Sequence, residues 1–331
     1  MILAGDIGGT NTRLGLFRAR GDTIEAHVTA KFRSREHRGL EEIVSVFRAA
    51  HPQPVEHAAF GVAGPVIDGR VETTNLPWIV EAHALARHLG IARVELVNDL
   101  HATALGVAAL GPEQLLCLNA GALDARGNRA VIAAGTGLGQ AGLYWNGRSH
   151  EPFASEGGHA DFAPTDAEQD RLLAFLRAEF GRVSWERVVS GPGLVNLHRF
   201  VCSERREPCA EIEREIARGG DGAAAIAQAA LAGSSTTARR ALELFVTLYG
   251  AQAGNLALTV MATGGVYLGG GIAPKIAAAL REPHFLRAFT AKAPHDDVLH
   301  NVPVLVILDD GAALFGAVRA ALARSGAASA P

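Results

Sequence analysis

Asn98-Asp99 closes an apolar run, Val94-Glu95-Leu96-Val97, that reads as a strand. In open α/β sheets the carboxyl ends of strands line the ligand crevice, so an acid at this position faces a ligand. A carboxylate held there can accept the proton of an alcohol as its oxygen bonds to phosphorus. Asp99 can equally cap the helix that follows, Ala102-Thr103-Ala104 onward. The residues leave both uses open.

Three glycine turns offer partners for such a reaction. Asp6-Ile7-Gly8-Gly9-Thr10-Asn11 joins two strands; its glycines let backbone N–H groups crowd an anion, and Thr10 and Asn11 add polar groups. Asp6 sits where a carboxylate could meet the metal of a Mg–nucleotide. Gly135-Thr136-Gly137-Leu138-Gly139 is a second turn of this kind, and Gly269-Gly270-Gly271-Ile272-Ala273-Pro274 a third, flat enough for adenosine to approach the backbone. Singly, the first two read equally well as plain hairpins. None ends in the Gly-Lys-Ser/Thr of a P-loop, and none is a dinucleotide fingerprint.

Ser155-Glu156-Gly157-Gly158-His159-Ala160-Asp161 is a polar loop between Phe153 and Phe162. Glu156 and His159, three apart across two glycines, can converge on one small ligand. Carboxylates and imidazole suit a polyol, whose hydroxyls both donate and accept. The rivals are a metal site, for which two ligands make a poor cage, and a solvated loop. Glu186 could add a carboxylate, or be an ordinary surface glutamate.

The elements that must hold these residues alternate in type. Ile2-Leu3-Ala4, Leu14–Phe17 and Ile24–Phe32 read as antiparallel strands, with a turn at Gly21-Asp22. Leu40, Ile43, Val44 and Phe47 share one helical face. A strand at 58–63, a helix at 81–89, the strand ending at Asp99 and a helix at 102–109 follow. The strand–glycine turn–strand opening recurs near residue 130. Helices are expected at 166–180, 193–201, 224–231, 236–261 and 273–281, strands at 266–268 and 304–308, and a closing helix at 312–323. Two related α/β lobes with a cleft between them would produce this order. The expected domains are a small one, 1–110 plus 310–331, and a large one, 111–309.

Bulk properties narrow the classes. A chain of 331 residues, 48% hydrophobic and 20% charged, can bury more than one core. A net charge of −3 without a Lys/Arg block argues against nucleic-acid binding. Leu244 to Pro274 carries no charge, and Gly250 and Gly254 have the spacing of bilayer helix pairs. Gln252, Asn255 and the glycine breaks favour a buried helix and strand instead, so no membrane association is expected. Cys117, Cys202 and Cys209 lack metal spacing and are read as reduced thiols; with Asp6 breaking the first apolar run, the expected location is the cytoplasm.

With these segments assembled, the chain closely resembles the bacterial glucokinase family, within the actin-like, ribonuclease H-like ATPase fold of sugar kinases and Hsp70. The resemblance rests on Gly5–Asn11, Thr74-Asn75-Leu76-Pro77-Trp78, Asn98-Asp99, Gly135–Gly139, Glu156–Pro164, Glu186–Leu194 and Gly264–Ile272, in order along nearly the whole chain. It implies ATP-dependent phosphorylation of glucose, with Asp99 as base toward the 6-hydroxyl. Asn98, Glu156, His159 and Glu186 would hold the sugar, with Thr136 and Gly137 near sugar and phosphate. Asp6, Gly8, Gly9, Thr10, Asn11, Gly135 and Thr136 would meet Mg–ATP phosphates, Asp6 reaching Mg2+ through water, and Gly270 and Gly271 would lie beside adenosine. A homodimer is implied as well. No cysteine follows His159 before Cys202, so the structural zinc of a related repressor-containing family is not expected. Nor is a DNA-binding helix-turn-helix, since the first strand begins at residue 2. Asp309-Asp310 follows the family pattern only loosely. Competing readings are a kinase for mannose, fructose or an N-acetylhexosamine, a sugar sensor, and a filament or chaperone ATPase, which would not need Glu156, His159 and Glu186 together.

Overall fold

The computed structural model describes residues 1–20, 23–73, 76–206, 214–215, 218–309 and 311–323. The expected turn at Gly21-Asp22, the Thr74-Asn75 part of the family segment, Cys209 and Asp310 lie outside these residues. The chain divides into two compact units: Met1–Gln114 with His150–Ala154 and Asp309–Pro331, and Leu115–Ser149 with Ser155–Leu308.

The first unit opens with an antiparallel meander of β1 (Ile2–Ile7), β2 (Asn11–Arg20) and β3 (Thr23–Arg33), as their short turns require. Helix α1 (Leu40–Ala50) buries Leu40, Ile43, Val44 and Phe47, the face read from their spacing. It carries the chain across to β4 (His57–Val62), parallel to β1. A small hairpin, β5 (Arg70–Glu72) and β6 (Ile79–Glu81), precedes α2 (Ala82–Leu89) and β7 (Val94–Asn98), parallel to β4. The sheet order is β3-β2-β1-β4-β7, and α3 (Asp99–Gly106) follows directly on β7. Strands of three residues give no period-two signal, which is why the β5–β6 hairpin was not expected.

The second unit contains β8 (Leu115–Asn119), β9 (Arg129–Ala134) and β10 (Leu138–Trp145); β11 (His150–Ser155) belongs to the first unit up to Ala154 and runs into the 156–159 turn. Helices α4 (Ala167–Phe180), α5 (Gly191–Arg205), α6 (Gly222–Leu231) and α7 (Thr236–Val260) come next. After β12 (Val266–Gly269) stand α8 (Ala277–Leu280), α9 (Pro283–Thr290), α10 (Asp296–His300) and β13 (Val304–Ile307). Strands β10-β9-β12-β13-β8 are consecutive neighbours in one sheet.

The charge-free stretch is the buried part of α7 followed by β12, and among the described residues no helix is long and apolar enough to cross a membrane. The Gly250/Gly254 spacing serves helix packing inside the unit: a Cβ on either would overlap the carbonyl of Phe285 or Phe289 on α9. Cys117 has a free thiol, but Cys202 is disulfide-bonded, contrary to the all-reduced reading.

Helix α11 (Ala312–Ala323) returns to the first unit. Leu314, Ala317, Val318 and Ala321 cover Ile2, Ala4, Phe17 and Ala59 of its sheet. Its contact with α3 is backbone to backbone. A Cβ on Gly316 would overlap the Ala102 carbonyl, and one on Gly106 the Ala312 carbonyl. This clasp seats α3, and with it Asp99.

Candidate active site

In the first unit the chemistry gathers at the carboxyl ends of β1, β4 and β7. Asp6 pairs in register with Gly61, and the next residue, Val62, pairs with Asn98. Two strand spacings separate β1 from β7, roughly 10 Å. Gly61 keeps the strand between them close to α3: a Cβ there would lie 2.8 Å from the Ala102 Cβ and 3.7 Å from the Asp99 Cα.

Helix capping falls on Asn98. Its backbone is extended, and its Oδ1 accepts from the N–H groups of Leu100 (2.9 Å) and His101 (3.3 Å). Asp99 is the first helical residue; its Oδ1 also accepts from the Leu100 N–H at 2.9 Å. The Asn98 amide donates to the Gly64 carbonyl at 3.1 Å, so Asn98 fixes the strand-to-helix corner that presents Asp99.

The first glycine turn is a hairpin. The Gly8 N–H donates to the Asn11 carbonyl (3.0 Å), while Ser34 ties the turn from outside, Oγ donating to the Gly8 carbonyl (2.7 Å) and N–H to the Thr10 carbonyl (3.1 Å). Gly9 lies between them, and Thr10 is exposed. Across the hairpin Asp6 pairs with Arg13, whose Nη1 is 4.0 Å from its Oδ2. Burial pushes the Asp6 carboxyl up to about 6; the Arg13 guanidinium pulls against that, and the Asp99 carboxylate adds to the rise.

In the second unit Glu156, His159 and Glu186 converge. His159 Nε2 is 4.0 Å from Glu156 Oε2 and its Nδ1 is 3.9 Å from Glu186 Oε1. These distances exceed direct hydrogen bonds and leave the polar atoms open to a ligand between them. Glu156 and His159 are 88% and 57% exposed, Glu186 only 32%. Glu186 is thus no ordinary surface glutamate. It stands on a tight turn after buried Trp185, and its Oε2 accepts from the Leu138 N–H of the second glycine turn at 2.9 Å. The Glu156–His159 turn is steadied by Arg182, which donates to Asp161 (2.7 Å) and to the His159 carbonyl.

The second glycine turn is held by α5. The Gly191 N–H donates to the Gly135 carbonyl at 2.8 Å, and the Ser190 hydroxyl caps α5 at the Gly193 N–H while donating to the Glu186 carbonyl. Thr136 is exposed at the tip. Gly270 has φ +80° and packs against the Ala134 backbone, whereas Gly271 faces open space. Asp309 of the first unit accepts from the Gln114 amide and the Gly311 N–H, a structural use.

Arg13, Ser34, Gly61 and Gln140 were not singled out in the sequence. Hairpin register around Gly8–Asn11 would have placed Arg13 opposite Asp6. Ser34 and Gln140 meet their partners only in the folded chain, and no local pattern marks them.

The Glucokinase family model matches residues 3–324. A curated glucokinase of Nostoc sp. is 38% identical, with 96% of this chain and 97% of that one covered. A crystal structure of a glucokinase from an Antarctic psychrotroph superposes with TM-score 0.85 at 30% identity, covering 97% and 98% of the two chains. A ROK family glucokinase from Streptomyces griseus, solved with glucose and AMPPNP, shares the fold at TM-score 0.65 and 22% identity, covering 97% and 99%. Sequence and architecture agree: the chain has the actin-like two-domain ATPase fold and belongs to the glucokinase family.

Proposed function

We propose that the chain transfers the γ-phosphoryl group of ATP to the 6-hydroxyl of glucose, with Asp99 as general base. Family membership over nearly the full chain supports the overall reaction. The observation that carries the role of Asp99 is the helix cap: Asn98 supplies it, and Asp99 stands at the carboxyl end of β7 beside Gly61. The glucose O6 bonds to the γ-phosphorus, its proton passes to the Asp99 carboxylate, and the bond from phosphorus to the bridging oxygen breaks to release ADP.

Asn98 would anchor Asp99 and lend its remaining amide hydrogen to the sugar. Glu156, His159 and Glu186 would share the other hydroxyls, which suits nitrogen and oxygen atoms 3.9–4.0 Å apart that a hydroxyl can bridge. Thr136 and Gly137 would border sugar and phosphate. Gly8, Gly9, Thr10, Asn11 and Gly135 would cradle phosphates, and Gly270 and Gly271 the adenosine. Among the described residues no group of three or more His, Cys, Asp or Glu could hold a metal. A single carboxylate, Asp6, fits an Mg2+ that arrives on the nucleotide and keeps its waters.

We place the working domains at 1–110 plus 310–331 and at 111–309, in a cytoplasmic homodimer; light scattering of the purified chain tests the dimer. The function itself is tested by ADP release from Mg–ATP with and without glucose, together with detection of glucose 6-phosphate. ADP release that ignores glucose would refute it.

A further inference from the structure

Gln140 lies on β10, paired with Ile132 of β9, and its side chain is 3% exposed. Its Nε2 is buried and has no hydrogen-bond partner. A buried amide without an acceptor is costly, so its retention calls for a use. The side chain meets the turn that carries Glu156 and His159 at Gly157, with Oε1 its nearest atom. A Cβ on Gly157 would overlap Gln140 Oε1 and stand 3.1 Å from its Cδ. Ser155 Oγ, 3.1 Å from the same Cβ position, accepts from the Gly157 N–H at 3.0 Å. A Cβ on Gly158 would overlap the Leu138 carbonyl, two residues before Gln140 on the same strand. The turn therefore rests on β10 through two glycines, with the Gln140 side chain against the first.

We propose that Gln140 is a positioning residue for the sugar site. Its Nε2 hydrogens are unpartnered while the 156–159 turn is empty, and they gain an acceptor on that turn when a sugar engages Glu156 and His159. Satisfying the buried donor then favours the occupied turn over the empty one. The effect belongs to sugar binding, because β10, the turn and Glu186 form one connected patch through Leu138. This inference rests on the sugar-kinase reading above.

Gln140→Met keeps the length and volume of the side chain and removes the amide. The expected result is a roughly tenfold rise in glucose KM, about 1.4 kcal/mol of lost binding. The KM for ATP should be unchanged, and the melting temperature equal or higher because the orphaned donor is gone. A second arm uses Gly157→Ala, which should raise glucose KM in the parent and do so less in a Gln140→Ala background, where the new methyl has room. A glucose KM for Gln140→Met within about twofold of the parent overturns the proposal. So does a fall in melting temperature with both KM values moving together, which marks a merely structural residue. Absence of glucose-dependent turnover in the parent itself would instead refute the kinase reading, so the two failures are distinguishable.

Discussion

Gly137→Ala tests whether Glu186 is a sugar ligand held in place by the second glycine turn. The backbone at Gly137 lies outside the left-handed region, so alanine is not strained there. The obstacle is a side chain: the new Cβ would stand 2.6 Å from Glu186 Oε2 and 3.5 Å from its Cδ. The carboxylate must swing away, and the Leu138 N–H loses its 2.9 Å acceptor. Two consequences follow from one displacement. A charge-assisted hydrogen bond lost from the folded protein costs about 1.5–3 kcal/mol, or roughly 3–12 °C in melting temperature at about 2–4 °C per kcal/mol. A sugar hydroxyl deprived of Glu186 loses a bond of the same kind, which raises glucose KM by roughly 10- to 150-fold. Initial rates against glucose at saturating Mg–ATP read the second effect, and a thermal scan the first. In a Glu186→Ala background the same alanine should add little, since the atom it strikes is gone. A glucose KM within about twofold of the parent would refute the argument.

Asp99→Ala should retain glucose binding by calorimetry yet lose turnover by about 10²–10⁴-fold; unchanged turnover removes Asp99 from the chemistry. Asp6 keeps its proton in the folded chain up to about pH 6 against 3.8 in the unfolded one. Its contribution to stability is therefore lost as pH rises from about 4 to 6, while the carboxylate that we propose meets Mg–ATP appears over the same window. Because Arg13 lowers that value, Arg13→Met should move the acid limb of kcat/KM for ATP upward by about 0.2–0.7 pH unit; a limb that stays put or moves down counts against it. Gly316→Ala drives a methyl into the Ala102 carbonyl and should cost about 1–3 kcal/mol by denaturant midpoint. It should also lower kcat, since the displaced α3 begins at Asp99; an unchanged midpoint would show that the helices part freely.

How far the sequence could be read depended on the range of the interaction. Helix α1 was legible because Leu40, Ile43, Val44 and Phe47 carry their own periodicity, and α11 because its alanine run stands between clear breaks. Asp99 is legible as an acid at a strand end, but the capping role that its residue type also suits belongs to Asn98, one residue earlier. Asn and Asp cap equally well, and only the extended backbone of Asn98 decides between them. The short elements β5, β6, β8, β11, α9 and α10 were not foreseen, being too brief or too interrupted to show a period. Glu186 could be named from its motif, whereas its bond to Leu138 and the support from Ser34 and Gln140 exist only once distant segments meet.

The clasp between α3 and α11 has a consequence for how the chain is made. Gln114 and Asp309 are 195 residues apart, and both belong to the first unit. A ribosome adding about 5–20 residues per second would take roughly 10–40 s to cover that interval. Throughout it, Ile2, Ala4, Phe17 and Ala59 would have no α11 to cover them, and the corner bearing Asp99 no partner for Gly106. The second unit has no such wait, because its residues finish emerging first. The nascent chain thus carries a sticky, half-built sheet while its other unit matures, and Asp99, the base we propose, is among the last groups to be set in place.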